Sequence, residues 1–441
     1  MATRSLETET KTCESTKTET VEPQPECLYV KGRVIPARSC SSAAASSCLD
    51  GVKVLDLTRV LAGPFCTMIL GDLGADILKI ERPKVGDDTR GWGPPFVGDQ
   101  SCYFLSVNRN KQSLCVDMKS TEGQRIIKEL AAQSDVLVEN YLPGKMEEFS
   151  LGYEDLKVLN SRIIYCSLTG YGHTGPYSSR PGYDIIAASL GGLNHVTGPE
   201  DGAPCKTGVA LTDLTTGLYA HGAIMAALFQ REKNGQGQKI NINLLSSQIS
   251  CLVNLGANYL MAGREAKRWG TAHESIVPYQ SFSTTDGYLT VGGANNHQFR
   301  ELCTKMGRVD LADDPKFATN ALRVENRRRL IAEMSETMKR KSNGEWLEIF
   351  SNANFPYAPI NSLAQVFEDP HVVDSGIVGQ IQHPTAGTLK MVGPPVELTG
   401  SDNRIRLPPP LLGQHTDQIL TDRLGYTPDR IKLLRDTGIV G

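Results

Sequence analysis

Val52-Lys53-Val54-Leu55-Asp56-Leu57 is a run of β-branched and apolar residues, soon followed by Gly63-Pro64. The run has the composition of a strand, Gly63-Pro64 breaks it, and residues 65–73 then read as a helix. Asp76-Ile77-Leu78-Lys79-Ile80-Glu81 is a second strand, closed by Pro83. The order recurs with a strand over 113–118, a helix over 121–133, a strand over 135–139 and another over 162–168. Strands that alternate with helices pair in parallel through crossover connections. The predicted fold class is therefore α/β with a parallel sheet.

Helices over 185–193 and 213–231 come next, then a turn at Asn234-Gly235-Gln236-Gly237 and a strand over 239–244. Residues 249–261 read as a helix leaving the sheet. The texture changes over about 270–364. Two strands (275–284 and 287–292) precede a basic helix over 323–340 and another over 344–352. The expected organisation is a large domain from 49–245, a linker and smaller α+β domain over 246–364, and a return to the large domain over 365–441.

Residues 1–48 have a different composition. Residues 1–26 are mostly Thr, Glu, Lys and Pro and offer little to bury, which predicts disorder. Residues 28–48 carry Lys31, Arg33 and Arg38 with a Ser/Ala-rich tract and no acidic residue. That is the composition of a mitochondrial transit peptide, and equally of a flexible tail.

The totals exclude several classes of function. Lys plus Arg number 46 against 49 Asp plus Glu in 441 residues, a formal charge of -3, which argues against charge-driven binding to nucleic acid outside a local basic groove. No apolar run is long enough to span a membrane. Eleven cysteines are scattered without a Cys-x-x-Cys pair, which fits free, mostly buried thiols in a reducing compartment. The eight histidines are dispersed, and no metal site is expected. The loop after the first strand lacks Gly-x-Gly-x-x-Gly, and no P-loop, Gly-x-Ser-x-Gly or His-Glu-x-x-His is present.

The informative segments follow strands, where open α/β sheets place their ligands. Arg82 follows the second strand, Asn108-Arg109-Asn110-Lys111 precedes the third, and Val116-Asp117-Met118-Lys119 ends it. Asn140-Tyr141-Leu142-Pro143-Gly144 follows the fourth. Basic side chains there suit a phosphorylated ligand, or a solvated rim. Asp213 stands at the start of a mostly apolar helix. It reads either as a first-turn aspartate that complements the helix dipole or as a covalent nucleophile toward an activated acyl group. In the second role, the helix N-terminus helps to keep it ionised.

These stretches resemble the class III CoA-transferases. The match runs from Leu49-Asp50-Gly51-Val52 to Ala62-Gly63-Pro64, and through Gly74-Ala75-Asp76, Lys79-Ile80-Glu81-Arg82 and Asn108 to Lys111. It continues in Val116 to Lys119, Val138-Glu139-Asn140, the segment from Gly208 to Gly217, and Pro410-Leu411-Leu412-Gly413-Gln414-His415. The resemblance implies two interlocked chains, each with a large Rossmann-like domain and a small one. It implies that Asp213 is the catalytic residue and that CoA contacts Arg82, Val116, Asp117, Met118, Lys119, Asn140, Tyr141 and Leu142. No permanently bound cofactor or metal is implied, the CoA thioester being a substrate.

Within the family, Arg264-Glu265-Ala266-Lys267-Arg268-Trp269-Gly270-Thr271-Ala272-His273 and Val277-Pro278-Tyr279-Gln280 resemble members that use dicarboxylates. This implies transfer from succinyl-CoA to glutarate or a 3-substituted glutarate, through an aspartyl-CoA thioester, in the mitochondrial matrix. A second carboxylate needs a cation, and Arg268 and His273 are the candidates from their place in that segment. Oxalate-specific members carry a glycine run that 273–287 lacks, a Gln at the position of Leu61 and an Arg at that of Glu148. The α-methylacyl-CoA racemase branch has a histidine where Tyr183 stands. A phenol with a pKa near ~10 is poorly suited to proton abstraction at neutral pH. Racemisation and a non-catalytic CoA-binding role are the alternative readings.

Overall fold

The computed structural model describes residues 29–30, 33–34 and 46–441. The segment 1–26, expected to be disordered, and positions 28, 31–32 and 35–45 of the transit-like tract lie outside the described residues. Tyr29–Val30 and Arg33–Val34 pair antiparallel. The remainder forms one compact unit from Ser46 to Gly441.

Its centre is a six-stranded sheet of β1 (Lys53–Leu57), β2 (Asp76–Glu81), β3 (Lys111–Cys115), β4 (Val136–Glu139), β5 (Ile164–Thr169) and β6 (Gln238–Asn243). The spatial order is β6-β5-β4-β1-β2-β3 and every pairing is parallel. This is the doubly wound order, which reverses between β1 and β4. Alternation along the strands feeds two cores. Leu55, Leu57, Leu137 and Tyr165 face one side, with Ile126, Ile127 and Leu130 of α2 (Thr121–Ala131). Ile419 and Leu434, from helices near the C-terminus, fill the same core. Val54, Val136, Val138 and Ile164 face the other side, against α1 (Ala62–Asp72) and a long helix described below. Leu137 is fully buried, and truncating it to alanine costs about 2–5 kcal/mol.

Gly63-Pro64 does not end an element as expected; both residues lie in the first turn of α1. A proline there forfeits only an N–H that has no partner inside the helix. After α3 (Asp184–Leu190), α4 (Leu211–Asn234) ends at Gly235 in the left-handed region, with its N–H on the Arg231 carbonyl. The single helix expected over 249–261 is two, α5 (Leu244–Ser250) and α6 (Val253–Ala262), which meet at a positive φ on Val253.

Residues 277–357 hold a separate core around Phe282, Leu289, Met334 and Trp346. Its antiparallel sheet comprises β7 (Tyr279–Ser283), β8 (Tyr288–Gly292) and β9 (Tyr357–Pro359). The basic helix expected over 323–340 is broken at Asn326, whose side chain bonds the Leu322 carbonyl. A hairpin of β10 (Val378–His383) and β11 (Gly387–Val392) precedes the return to the large core.

Candidate active site

The carboxyl ends of β1, β4, β5 and β6 surround a cavity of about 400 Å3 at the point where strand order reverses. Open α/β sheets bind their ligands at that place. The walls are residues 59–62 after β1, 140–142 and Lys145 after β4, 168–170 from β5, 181–183 before α3, and Leu244 after β6. Asp88 and Asp213, the latter in the first turn of α4, complete the lining.

Asp213 is half-buried. Burial, and secondarily the nearby charge of Asp184, push its carboxyl up to about 7. Asp184 sits in the first turn of α3, and one of its carboxylate oxygens accepts the Asp213 backbone N–H at 3.1 Å. Ala210, at the N-cap of α4, supplies no side-chain bond, so Asp184 serves as an external cap. The expectation that the helix N-terminus holds Asp213 ionised thus meets two stronger opposing effects, desolvation and a like charge. At neutral pH the group is poised between its two forms. Helices α1 and α4 approach so closely that a Cβ on Gly217 would lie 2.7 Å from the Ala62 carbonyl oxygen. Glycine at that position therefore sets the distance between Asp213's helix and the 59–62 wall.

The structure brings Asn140, Tyr141, Leu142 and Asp213 to one cavity. Arg82, Met118 and Tyr141 line a small adjoining hollow, and Arg59 and Tyr141 belong to both. Asn140 joins the loops after β1 and β4, accepting the Arg59 N–H at 3.0 Å and donating to the Arg59 carbonyl at 2.7 Å. The Arg59 guanidinium lies over the Tyr141 ring and bonds Asp88, which also holds Arg82. Val116 has its side chain in the core and offers backbone only. The Asp117 carboxylate accepts the Lys119 N–H, and Lys119 is exposed. Arg268 and His273 are not among the residues that line the cavity. Arg268 donates to the carbonyls of Gly202 and His195, and His273 stacks on Tyr279. Leu61 and Tyr183 line the cavity, whereas Glu148 does not.

The sequence reading missed a buried charge network beneath the site. Lys79 and Asp87 pair at 2.9 Å and Lys111 and Asp56 at 3.0 Å, all four side chains fully buried. The lysine partners and hydroxyl bonds hold Asp56 well below the usual carboxylate range despite its burial, while burial lowers Lys111 to about 8. The available signal was Asp56 and Lys79 inside otherwise apolar strands, since a buried charge requires a partner. Glu139, also buried, accepts the Tyr141 N–H at 2.8 Å and is pushed up to about 7 by desolvation.

The fold and the site together define a doubly wound α/β enzyme with a carboxylate at its switch-point cavity. Residues 49–416 match the model of CoA-transferase family III. The chain is 54% identical over 392 residues to a human succinyl-CoA:glutarate CoA-transferase, covering 89% of this chain and 90% of the relative. It is 39% identical to a succinate–glutarate CoA-transferase of Agrobacterium fabrum, covering 85% of this chain and 95% of that one. A solved CAIB/BAIF family protein from Brucella suis superposes with a TM-score of 0.78 at 40% identity, over 86% of this chain and all of that one. The chain belongs to CoA-transferase family III and is a CoA-transferase.

Proposed function

We propose that the chain moves CoA from succinyl-CoA to glutarate or a 3-substituted glutarate, with Asp213 as covalent carrier. The observation that carries this reading is a half-buried carboxylate in a cavity of about 400 Å3 at the sheet's switch point. The names of the human and Agrobacterium relatives support the substrate pair.

In the first step an Asp213 oxygen attacks the succinyl thioester carbonyl; the C–S bond breaks, giving a mixed anhydride and CoA thiolate. The thiolate then attacks the aspartyl carbonyl, releasing succinate and leaving an aspartyl-CoA thioester. A glutarate carboxylate attacks that thioester and displaces the thiolate, which then attacks the glutaryl carbonyl to release glutaryl-CoA and the free aspartate. No proton is gained or lost, and each stage preserves the acyl activation that water would dissipate. Arg82, residues 116–119 and residues 140–142 hold the CoA in this reading, and Arg268 and His273, although outside the lining of this chain's own cavity, are its candidates for selecting the acceptor.

The working unit is an interlocked homodimer in the mitochondrial matrix. Exposed apolar side chains on α3, α4 and α6 support the dimer, among them Ile186, Tyr219, Leu260 and Met261, the last 87% exposed. Among the described residues no helix is long and apolar enough to cross a membrane. The test is steady-state transfer from succinyl-CoA to a panel of mono- and dicarboxylates. Glutarate or its 3-substituted forms should give the highest kcat/KM, and Arg268→Ala should raise the glutarate KM. A better monocarboxylate, or an unchanged KM in the variant, contradicts the assignment.

A further inference from the structure

We infer that Asp87 is a positioning residue: it holds Val60 in a left-handed backbone conformation that shapes the cavity wall beside Asp213. This rests on the transferase reading above. Val60 has φ +71, a region that a β-branched side chain disfavours, and it lines the cavity. Such strain persists only where surrounding groups over-determine it, and it concentrates at functional sites.

The over-determining groups are side chains. No backbone ladder reaches residues 58–60, and side chains from β2, the loop after β2 and the loop after β4 bind their polar groups instead. The Thr58 carbonyl accepts the Lys79 ammonium at 2.8 Å. The Arg59 N–H and carbonyl are both bound by Asn140. The Val60 N–H donates to Asp87 Oδ1 at 3.2 Å, and that oxygen also receives the Thr89 N–H and hydroxyl. Lys79 closes the arrangement on Asp87 Oδ2. One buried pair therefore grips both peptides that join residues 58 to 60. Asp87 is 1% exposed and borders the small adjoining hollow but not the cavity that holds Asp213, whose wall it reaches through Val60.

The test compares Val60→Gly, Val60→Pro, Asp87→Ala and the double variant Val60→Gly/Asp87→Ala in the full chain. Glycine enters the left-handed region freely; proline is confined to negative φ and lacks the N–H that Asp87 binds. Rates are normalised to active sites counted by the mass of the CoA adduct, which removes any loss due to unfolded protein. The glycine variant should exceed the proline variant in kcat by about tenfold, the scale of a misplaced reacting group. Val60→Gly/Asp87→Ala should be faster than Asp87→Ala, because without its clamp valine leaves the left-handed region and glycine does not. Asp87→Asn replaces Asp87→Ala should the latter not fold, since its amide must set a donor against either Lys79 or Val60 and so disturbs the clamp. Equal rates for the glycine and proline variants, or a double variant no faster than its Asp87 parent, overturn the inference. Absence of any adduct in the unmutated protein instead overturns the transferase reading, and the inference with it.

Discussion

Replacing Asp213 with asparagine should abolish transfer and yet stabilise the fold, by an amount that depends on pH. In the folded chain the carboxyl titrates at about 7 against an ordinary value of 3.8. Its folded pKa is raised, so between those two values the unfolded chain has released a proton that the folded chain retains. Wild-type stability therefore declines as pH rises from about 4 to about 7 and is level above that. At ~1.36 kcal/mol per unit, a gap of about three units is roughly 4 kcal/mol, reduced toward ~2 kcal/mol by the solvent that the cavity admits. Asparagine keeps the shape and carries no charge to desolvate. Urea unfolding of both proteins at pH 4.5 to 8.5, a range chosen about the titration, should give nearly coincident stabilities at the acid end. The variant should be the more stable by about 2–4 kcal/mol at the alkaline end. A difference that does not grow with pH, or that favours the wild type at high pH, would refute the reasoning.

The same titration governs turnover, because only the carboxylate attacks: the rate of adduct formation should rise with pH through about 7. Asp184→Asn removes the like charge and should move that acid limb to lower pH, read from a pH–rate profile; an unmoved limb leaves burial as the sole cause. Gly217→Ala sets a methyl 2.7 Å from the Ala62 carbonyl oxygen. It should cost about 1–3 kcal/mol by overpacking and lower kcat by displacing the 59–62 wall, measured by thermal unfolding and steady-state assay. Asn140→Ala removes both bonds to the Arg59 backbone and should cost about 1–3 kcal/mol while raising the KM for succinyl-CoA.

The parallel sheet was legible in the sequence because its central strands are buried on both faces. Val54 to Leu57 and Val136 to Val138 are nearly continuous apolar runs, which local composition reveals. The position of Asp213 at a helix start was legible for the same local reason. The raised affinity of Asp213 for its proton was not, because its causes are burial and Asp184, 29 residues away and on another helix. Nor was the Lys79–Asp87 clamp, in which a strand residue meets a loop residue to hold the peptides of a third segment. Element ends were misread where a residue's usual meaning depends on position. Pro64 belongs to a first turn, and Asn326 and Val253 interrupt helical patterns through backbone angles that composition does not encode. Hairpin strands β10 and β11 were missed because their apolar residues face a minor core formed with Leu105.

The central claim is that Asp213 carries CoA covalently, and intact-protein mass after mixing with succinyl-CoA tests it most directly. Wild-type protein should gain the mass of CoA less one water, in a form discharged by hydroxylamine and by glutarate, while Asp213→Ala should gain nothing. A wild-type protein that binds CoA yet stays at its own mass, or an adduct that persists in Asp213→Ala, would contradict the account.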